Sequence, residues 1–293
     1  MIRLTFDIEL SYEIIGLPSD FIFNIHAAHT AQQTVVNEQL TLSQPVTPAV
    51  FTDPTFGTRY MRLNANPGPM TVNYGATVDL SHHAEQPENL HEVPIAQLPP
   101  EVLRYVYPSR YCQSDRFGRL ATWEFAHFPP GYARVAAIQD WVRRRTAFLS
   151  GSTDSNTSAA DTVVEQVGVC RDFAHLMIAL CRAMNIPARF VTAIDYGAAP
   201  ELGPTDFHAY VEVFLSHRWY AFDPTGISPP MGLIRLGTGR DAADTAFATV
   251  FGTVTSRAPV INIAALDDPA NGYTLPQRCD AVLSTHPGVA MPA

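Results

Sequence analysis

Residues 168–175 read Gly168-Val169-Cys170-Arg171-Asp172-Phe173-Ala174-His175. The apolar spacing that follows predicts a helix opening at Cys170, with the sulfur in its first turn. A thiol attacks carbon as thiolate, and a free cysteine near neutral pH is mostly protonated. Two surroundings correct that. A helix start presents unpaired N–H groups that favour negative charge, and an imidazolium partner pairs with the sulfur. The same N–H groups can hold the oxyanion that forms on an attacked carbonyl. A buried structural cysteine is the other reading of Cys170 taken alone.

A partner for the thiol is found 38 residues on. Asp206-Phe207-His208-Ala209-Tyr210-Val211-Glu212-Val213-Phe214-Leu215 reads as a strand opening on a histidine. Alternation puts His208, Tyr210, Glu212 and Phe214 on one face and Ala209, Val211, Val213 and Leu215 on the other. Ser216-His217 reads as a hairpin turn, and Arg218-Trp219-Tyr220-Ala221-Phe222-Asp223 as the return strand, closed by Pro224. With Leu215 opposite Arg218, Tyr210 lies opposite Asp223, and His208 is the diagonal neighbour of Asp223 on the same face. A slip of one residue would put Asp223 on the wrong face. A carboxylate accepting from one ring nitrogen fixes the tautomer, turns the other nitrogen to the thiol and stabilises the imidazolium. Asp-Pro is also an ordinary strand ending. Cys170, His208 and Asp223 are therefore the candidate catalytic residues.

Other reactive types have simpler readings. Cys181 falls in the apolar stripe of the Cys170 helix, and Cys112 and Cys279 have no helix-start context, so all three read as structural. Asp172 sits in the first helical turn, where the dipole favours an acid. Arg171 and Arg240 are candidates for a substrate carboxylate, against solvated surface arginine. His82-His83 and His175 raise a metal, but no H-E-x-x-H or paired C-x-x-C spacing supports one. No cofactor is expected.

The elements that must position these residues fall into two halves. Ile2 to Ile14 alternates apolar and polar, a strand with one buried face. Residues 21–26, 33–42, 58–64 and 70–80 read as further strands, the last two split by the turn signal Asn66-Pro67-Gly68-Pro69. This predicts a β-sandwich over 1–90. Residues 91–132, rich in proline, read as a linker and entry segment with a short helix over 100–107. From 133 the period nears 3.6. Helices are predicted over 133–149, after Ser158 with Asp161 as capping partner, and from Cys170 until Asn185 and Pro187. Strands follow over 188–194, 208–215 and 218–222. Helices then strands predict an α+β unit over 133–293, with a C-terminal extension.

Composition narrows the partners. The 293 residues carry net charge -9, which argues against nucleic acid or an anionic membrane. All 19 basic residues are arginine, so the chain has no lysine ε-amine to cross-link. Four cysteines without a framework read as free thiols in a reducing compartment. Asp7 and Glu9 interrupt any secretory apolar run, and no uncharged apolar stretch nears the ~20 residues of a bilayer span. The expected location is cytoplasmic.

Gly168–His175, His208–Val213 and Trp219-Tyr220-Ala221-Phe222-Asp223-Pro224-Thr225 together resemble the transglutaminase-like superfamily of cysteine proteases, over about 150–250. The order Cys, His, Asp matches, with intervals of 38 and 15. A weaker likeness extends to the N-terminal β-domain of bacterial members, and Gly239–Asp244 is similar to a stretch after their core. The resemblance implies a papain-like core, a helix packed on an antiparallel sheet, with Cys170 as nucleophile, His208 as base and Asp223 as its partner. It leaves the reaction open: members include proteases, deamidating or cross-linking transferases, glycanases and inactive scaffolds. It also implies a second oxyanion donor upstream, an aromatic or glutamine side chain; Gln166 is one candidate, against the reading of an ordinary surface glutamine. The expected substrate is a peptide or amide.

Overall fold

The computed structural model describes residues 1–198, 205–286 and 288. Its N-terminal half holds β1 (Ile2–Ile14), β2 (Ser19–Phe23), β3 (Gln33–Leu42), β4 (Ala49–Thr52), β5 (Arg59–Ala65), β6 (Gly68–Leu80) and the short β7 (His83–Glu85). Helices α1 (Gly118–Phe125) and α2 (Tyr132–Arg145) follow, then β8 (Ala147–Phe148), α3 (Ala159–Glu165), β9 (Val167–Gly168) and α4 (Cys170–Ala183). The chain continues through β10 (Ala188–Asp195), β11 (Phe207–Leu215), β12 (Arg218–Phe222), β13 (Leu233–Gly239), β14 (Ala248–Phe251), β15 (Val254–Ser256), β16 (Val260–Ala265) and β17 (Val282–Ser284).

Alternation in β1 buries its even residues from Ile2 to Ile14 and leaves most of the odd ones out. Two antiparallel sheets share this core. One runs β15-β1-β6-β3, with β16 also on β1, and the other runs β14-β2-β5-β4. This is a sandwich, but 1–90 does not complete it. Strands β15 and β16 pair with β1, and β14 pairs with β2. Residues 248–265, assigned above to an extension of the second unit, thus close the first. Period-2 alternation marks a strand and says nothing of which sheet receives it. Residues 287 and 289–293 of that extension lie outside the described residues.

The second half is a four-stranded antiparallel sheet, β12-β11-β10-β13, with α4 packed across one face. Ala209, Val211, Val213 and Leu215 of β11 point to α4, as the alternation predicts. The helix is more enclosed than its apolar stripe implies, since Asp172 to Arg182 are all buried. Segment 91–132 explains this. It is no linker: Phe117, Ala121 and Phe125 enter the same core as α4. Its expected helix over 100–107 is a single 3-10 turn, Leu103–Tyr105. Arg182 ties the segment to the helix by donating to the Tyr107 carbonyl and Ser109 Oγ, both at 3.1 Å, and to Ala188 O at 2.8 Å.

The opposite face of the sheet carries a buried charge layer. Glu212 on β11 pairs with Arg189 of β10 at 2.6 Å and with Arg235 of β13, all three essentially without solvent exposure. The Arg189 guanidinium stacks on Trp219, 4.2 Å from the ring centroid. Burial opposes ionisation of Glu212, but the two guanidiniums outweigh it and hold its carboxyl at about 2. Phe56 of the N-terminal half reaches this face, its ring centroid 5.4 Å from the Arg189 guanidinium; Ile194, Ile234 and Leu236 enter the sandwich core, and Gln33 Nε2 donates to Arg235 O at 2.8 Å.

A buried ion pair that loses one partner leaves an uncompensated charge, at a cost of about 3–5 kcal/mol. Glu212→Gln is therefore expected to lower unfolding free energy by that order in urea titrations. Asp140→Asn, at the exposed pair with Arg144, should change it by less than ~1 kcal/mol. Glu212 is depressed in the fold, so its contribution is complete above pH ~4.5 and is lost as pH falls toward 2. The Gln variant should lack that acid-dependent part.

Candidate active site

Cys170 is the first residue of α4, preceded by Val169 in extended conformation. Val169 carries no side-chain oxygen to cap the helix, so the end is held from the other side. Asp172, fully buried, accepts from the Val169 N–H at 2.9 Å and from Thr153 Oγ1 at 2.7 Å. An acid favoured by the helix dipole thus also clamps loop 150–158 to the turn that carries Cys170. Gly168 serves this contact. Its φ is not left-handed, so a tight turn is not its reason. A Cβ there would lie 2.7 Å from Asp172 Cβ, so glycine is what allows the helix start to close down. The N–H groups of Cys170 and Arg171 lie in the first turn, where no helical carbonyl can take them.

The histidine strand arrives in the register that alternation predicts. Leu215 faces Arg218, and the pairing runs without a bulge to Val211 opposite Phe222, which sets Asp223 beside Tyr210. His208 and Asp223 share the face away from Val211 and reach each other diagonally. His208 Nε2 lies 3.2 Å from Asp223 Oδ2, with the residues 3% and 4% exposed. Nε2 is thereby occupied, leaving Nδ1 to the thiol. Cys170, half-buried, places Sγ 3.7 Å from the carbonyl of Phe207, the residue before His208, and its thiol helps to raise the imidazole's pKa.

Asp223 divides its oxygens. Oδ2 meets the imidazole, while Oδ1 accepts from the Thr225 N–H at 2.9 Å and Thr225 Oγ1 at 2.7 Å. The strand-ending role of Asp-Pro and the imidazole contact are both filled by one side chain. Its carbonyl accepts from Gln139 Nε2 at 2.9 Å, so α2 fixes the same residue from behind. Gln139 was not singled out from the sequence, because a glutamine on a helix's polar face carries no signal of a partner 84 positions away.

The electrostatics follow from this enclosure. Burial disfavours the His208 imidazolium, but the Asp223 carboxylate, then the Cys170 thiol, outweigh it and raise its pKa well above the ordinary value. Burial likewise opposes the Asp223 carboxylate, and His208 and Thr225 hold its pKa below the usual range. The other thiols lack such support. Burial pushes Cys112 up to about 12 and raises Cys181 too, while Cys279 is exposed.

The remaining candidates go elsewhere. Arg171 is tied to Asp172 and donates to the Asp154 carbonyl at 2.7 Å, and Arg240 is paired with Asp244 at 2.9 Å. Neither guanidinium is free for a substrate carboxylate. Gln166 is the exposed, left-handed C-cap of α3, with no hydrogen bond from its side chain among the described residues. His175 is buried between the rings of Tyr111 and Phe190 and accepts from the Ala242 N–H at 3.1 Å. Burial drives its pKa well below the ordinary value. His82 is lowered to about 4, chiefly by burial. Among the described residues no group of three or more metal-ligating side chains converges.

A helix-borne cysteine over an antiparallel sheet that brings histidine and aspartate together has known counterparts. Residues 125–224 match the model of the transglutaminase-like superfamily core, and residues 2–101 match the N-terminal domain of bacterial transglutaminases. The chain belongs to the transglutaminase-like superfamily. The crystal structure of a candidate cysteine protease from Cytophaga hutchinsonii is similar throughout, with 37% identity, TM-score 0.88 and 97% of each chain covered. An uncharacterised protein of Mycobacterium leprae is 33% identical over 122 residues, and one of Mycobacterium tuberculosis is 32% identical over 131. These matches take in 40% of this chain and 43% or 42% of those proteins, so less than half their length is spanned. The fold is thus the transglutaminase-like core with its N-terminal β-domain.

The imidazole's titration is open to measurement. His208 is raised in the fold, so the stability it contributes is complete below pH ~6.5 and is lost as pH rises through its folded value. Asp223 is lowered, so its share is complete above pH ~3.8 and is lost as pH falls through its folded value. In ¹⁵N-histidine NMR titrations, His208 should stay protonated well past pH ~6.5. Asp223→Asn should pull that midpoint down, and Cys170→Ser should do so by less. An unmoved midpoint in Asp223→Asn would show that the carboxylate does not govern it.

Proposed function

We propose that this chain is a thiol-dependent hydrolase that cleaves peptide or amide bonds through an acyl-enzyme on Cys170. The observation that carries the reading is the buried His208–Asp223 contact, which occupies Nε2 and leaves Nδ1 as the ring nitrogen for a thiol at a helix start. With its proton already held by His208, the Cys170 sulfur bonds to the substrate carbonyl carbon. The first-turn N–H groups stabilise the oxyanion. As the intermediate collapses, the carbon–nitrogen bond breaks and His208 returns the proton to the leaving amine. Water then attacks the thioester, its proton passes to His208, and the sulfur–carbon bond breaks to release the acid and restore the pair. Asp223 orients the imidazole and steadies its charge without taking the proton.

The likeness to a candidate cysteine protease over nearly its full length supports hydrolysis. Acyl transfer shares every step up to the thioester and differs only in whether an amine replaces water. The intact cysteine, histidine and aspartate weigh against a purely structural module, which would need none of them. The four free cysteines favour a reducing compartment such as the cytoplasm.

Iodoacetamide labelling with mass mapping tests the nucleophile. Cys170 should react at least about tenfold faster than Cys112, whose thiol is buried, and His208→Ala should remove most of the advantage. Equal rates would end the catalytic reading. With a peptide library, acid-quenched protein should carry an acyl mass on Cys170 that Cys170→Ala lacks. Added glycinamide separates the two fates: free acid products mean hydrolysis, glycinamide adducts mean transfer.

A further inference from the structure

His208 has an acid on either flank. Ala193 of β10 pairs directly with His208, so Asp195 shares its face as a diagonal neighbour, Cα to Cα roughly 7–8 Å. Asp223 holds the matching diagonal position on the β12 side and bonds the imidazole. Asp195 instead accepts from Ser228 Oγ, and both residues are buried. The strand order β12-β11-β10 then fixes the path of the chain between the two acids. Residues 223–228 leave the end of β12 and arrive at β10, so they cross β11 where His208 sits. Neighbouring strands ~4.8 Å apart put the two flanks about 10 Å from each other. Five residues reach up to ~17 Å, enough to cross with a turn, and Gly226 supplies the turn at φ 64. Thr205 and Asp206 continue the chain outward from β11, so the crossing passes over a face. Its ties choose the face that carries His208. Thr225 binds Asp223 Oδ1 through its N–H and Oγ1 at 2.9 and 2.7 Å, and Ser228 binds Asp195. Between them the Ile227 N–H donates to Thr225 Oγ1 at 3.3 Å. Pro224, Thr225, Ser228 and Pro229 are all buried. Helix α4 packs on the opposite face, and Phe56, Tyr105 and Trp219 stand over the Arg189 end of this one. The crossing covers the histidine end.

We propose that Asp195 and Ser228 are positioning residues whose bond latches the 224–229 crossing over the His208 imidazole. The inference rests on the hydrolase reading above. In that reaction His208 holds the thiol's proton until the leaving nitrogen takes it. Its charge is steady only while Asp223 stays close and water, which would screen the pair, stays out. Thr225 keeps the Asp223 carboxylate in place, but Thr225 lies on the crossing itself and needs a further anchor. Ser228 provides it, tied to a strand that does not carry Asp223. A hydroxyl-to-carboxylate bond is among the stronger kinds, which suits an anchor for a segment with no helix or strand of its own. The two acids beside His208 thus divide the work: Asp223 meets the imidazole, and Asp195 holds down the segment that encloses it.

Histidine titration and hydrogen exchange test the latch without a known substrate. Asp195 also faces His208 as a charge, together with Asp206 and Tyr210 of β11, Cys170 of α4 and Asp223. Arg143 and Arg278 lie against the crossing at Gly226. Ser228→Ala removes the hydroxyl and leaves every one of these charges in place. The enclosed site as a whole raises His208, so loosening it should return the ¹⁵N-histidine midpoint toward ~6.5, by about one pH unit or more. The N–H groups of Gly226 and Ile227, bonded to Asp223 O and Thr225 Oγ1, should exchange about tenfold faster or more. Iodoacetamide labelling of Cys170 at pH 6 should slow about threefold or more, since thiolate and imidazolium form as a pair. Ser228→Thr, which keeps the hydroxyl, should hold the unaltered values, and Asp195→Ala should reproduce Ser228→Ala. The midpoint is read from resonances of folded protein, so loss of material does not move it. A midpoint that falls in Asp195→Ala but not in Ser228→Ala would mean that Asp195 acts by charge, and would overturn the latch. So would a lower urea stability in Ser228→Ala with midpoint and exchange both unchanged. Cys170 reacting no faster than Cys112 in the unaltered protein would overturn the hydrolase reading instead.

Discussion

Strand β11 is paired on both sides, and the offset of those pairings governs most of what the second half does. Against β12 it sets His208 diagonally across from Asp223. Against β10 it sets Glu212 opposite Arg189, with Arg235 reaching in from β13. Histidine and glutamate are four residues apart, so alternation places them on the same face. A slip of one residue would turn Glu212 into the apolar layer under α4 and carry His208 away from its carboxylate. Unpaired, each buried charge costs several kcal/mol. The ion layer and the candidate catalytic pair therefore select one register together.

The helix that brings the thiol is fixed by different means. Its start lacks a capping oxygen on Val169, and Asp172 closes it by accepting from the backbone and from Thr153. Gly168 makes room for that carboxylate. Along its length α4 is enclosed on every side, by the sheet, by α1 and α2, and by the segment that Arg182 pins down. A helix so confined has little freedom to withdraw its first turn from the histidine strand. Rigid support of this kind is what a reactive pair needs to hold its geometry.

The N-terminal half supports the sheet of the second half. Gln33 bridges to the backbone of Arg235 in both directions, donating at 2.8 Å and accepting at 2.9 Å. The sandwich core takes in side chains of β10 and β13. The buried ions on the far face of the sheet are covered by Phe56, Tyr105 and Trp219, whose rings stand against Arg189 and keep away water, where screening would weaken the pairing. Strands from the end of the chain complete the sandwich, so its two ends are knit into one body around the candidate site.

Much of this was legible in the residues. The even-numbered stripe of β1, the helix opening at Cys170 and the hairpin turn at Ser216-His217 follow from local periodicity and turn chemistry, which depend on neighbours in the chain. The His208–Asp223 register follows from the hairpin because a short turn leaves few offsets. What only the tertiary structure decided depends on distant partners. Gln139 behind Asp223 and the burial of His175 between Tyr111 and Phe190 each join residues from separate elements. Residues 91–132 read as a linker because prolines and short turns hide a buried role that only contact with α4 reveals. Sequence by itself determined the reactive types and the strands and helix that carry them, since those are set by short-range preference and alternation. Tertiary structure decided which charges are neutralised and which remain free, because a side chain's partner is settled by packing across the fold.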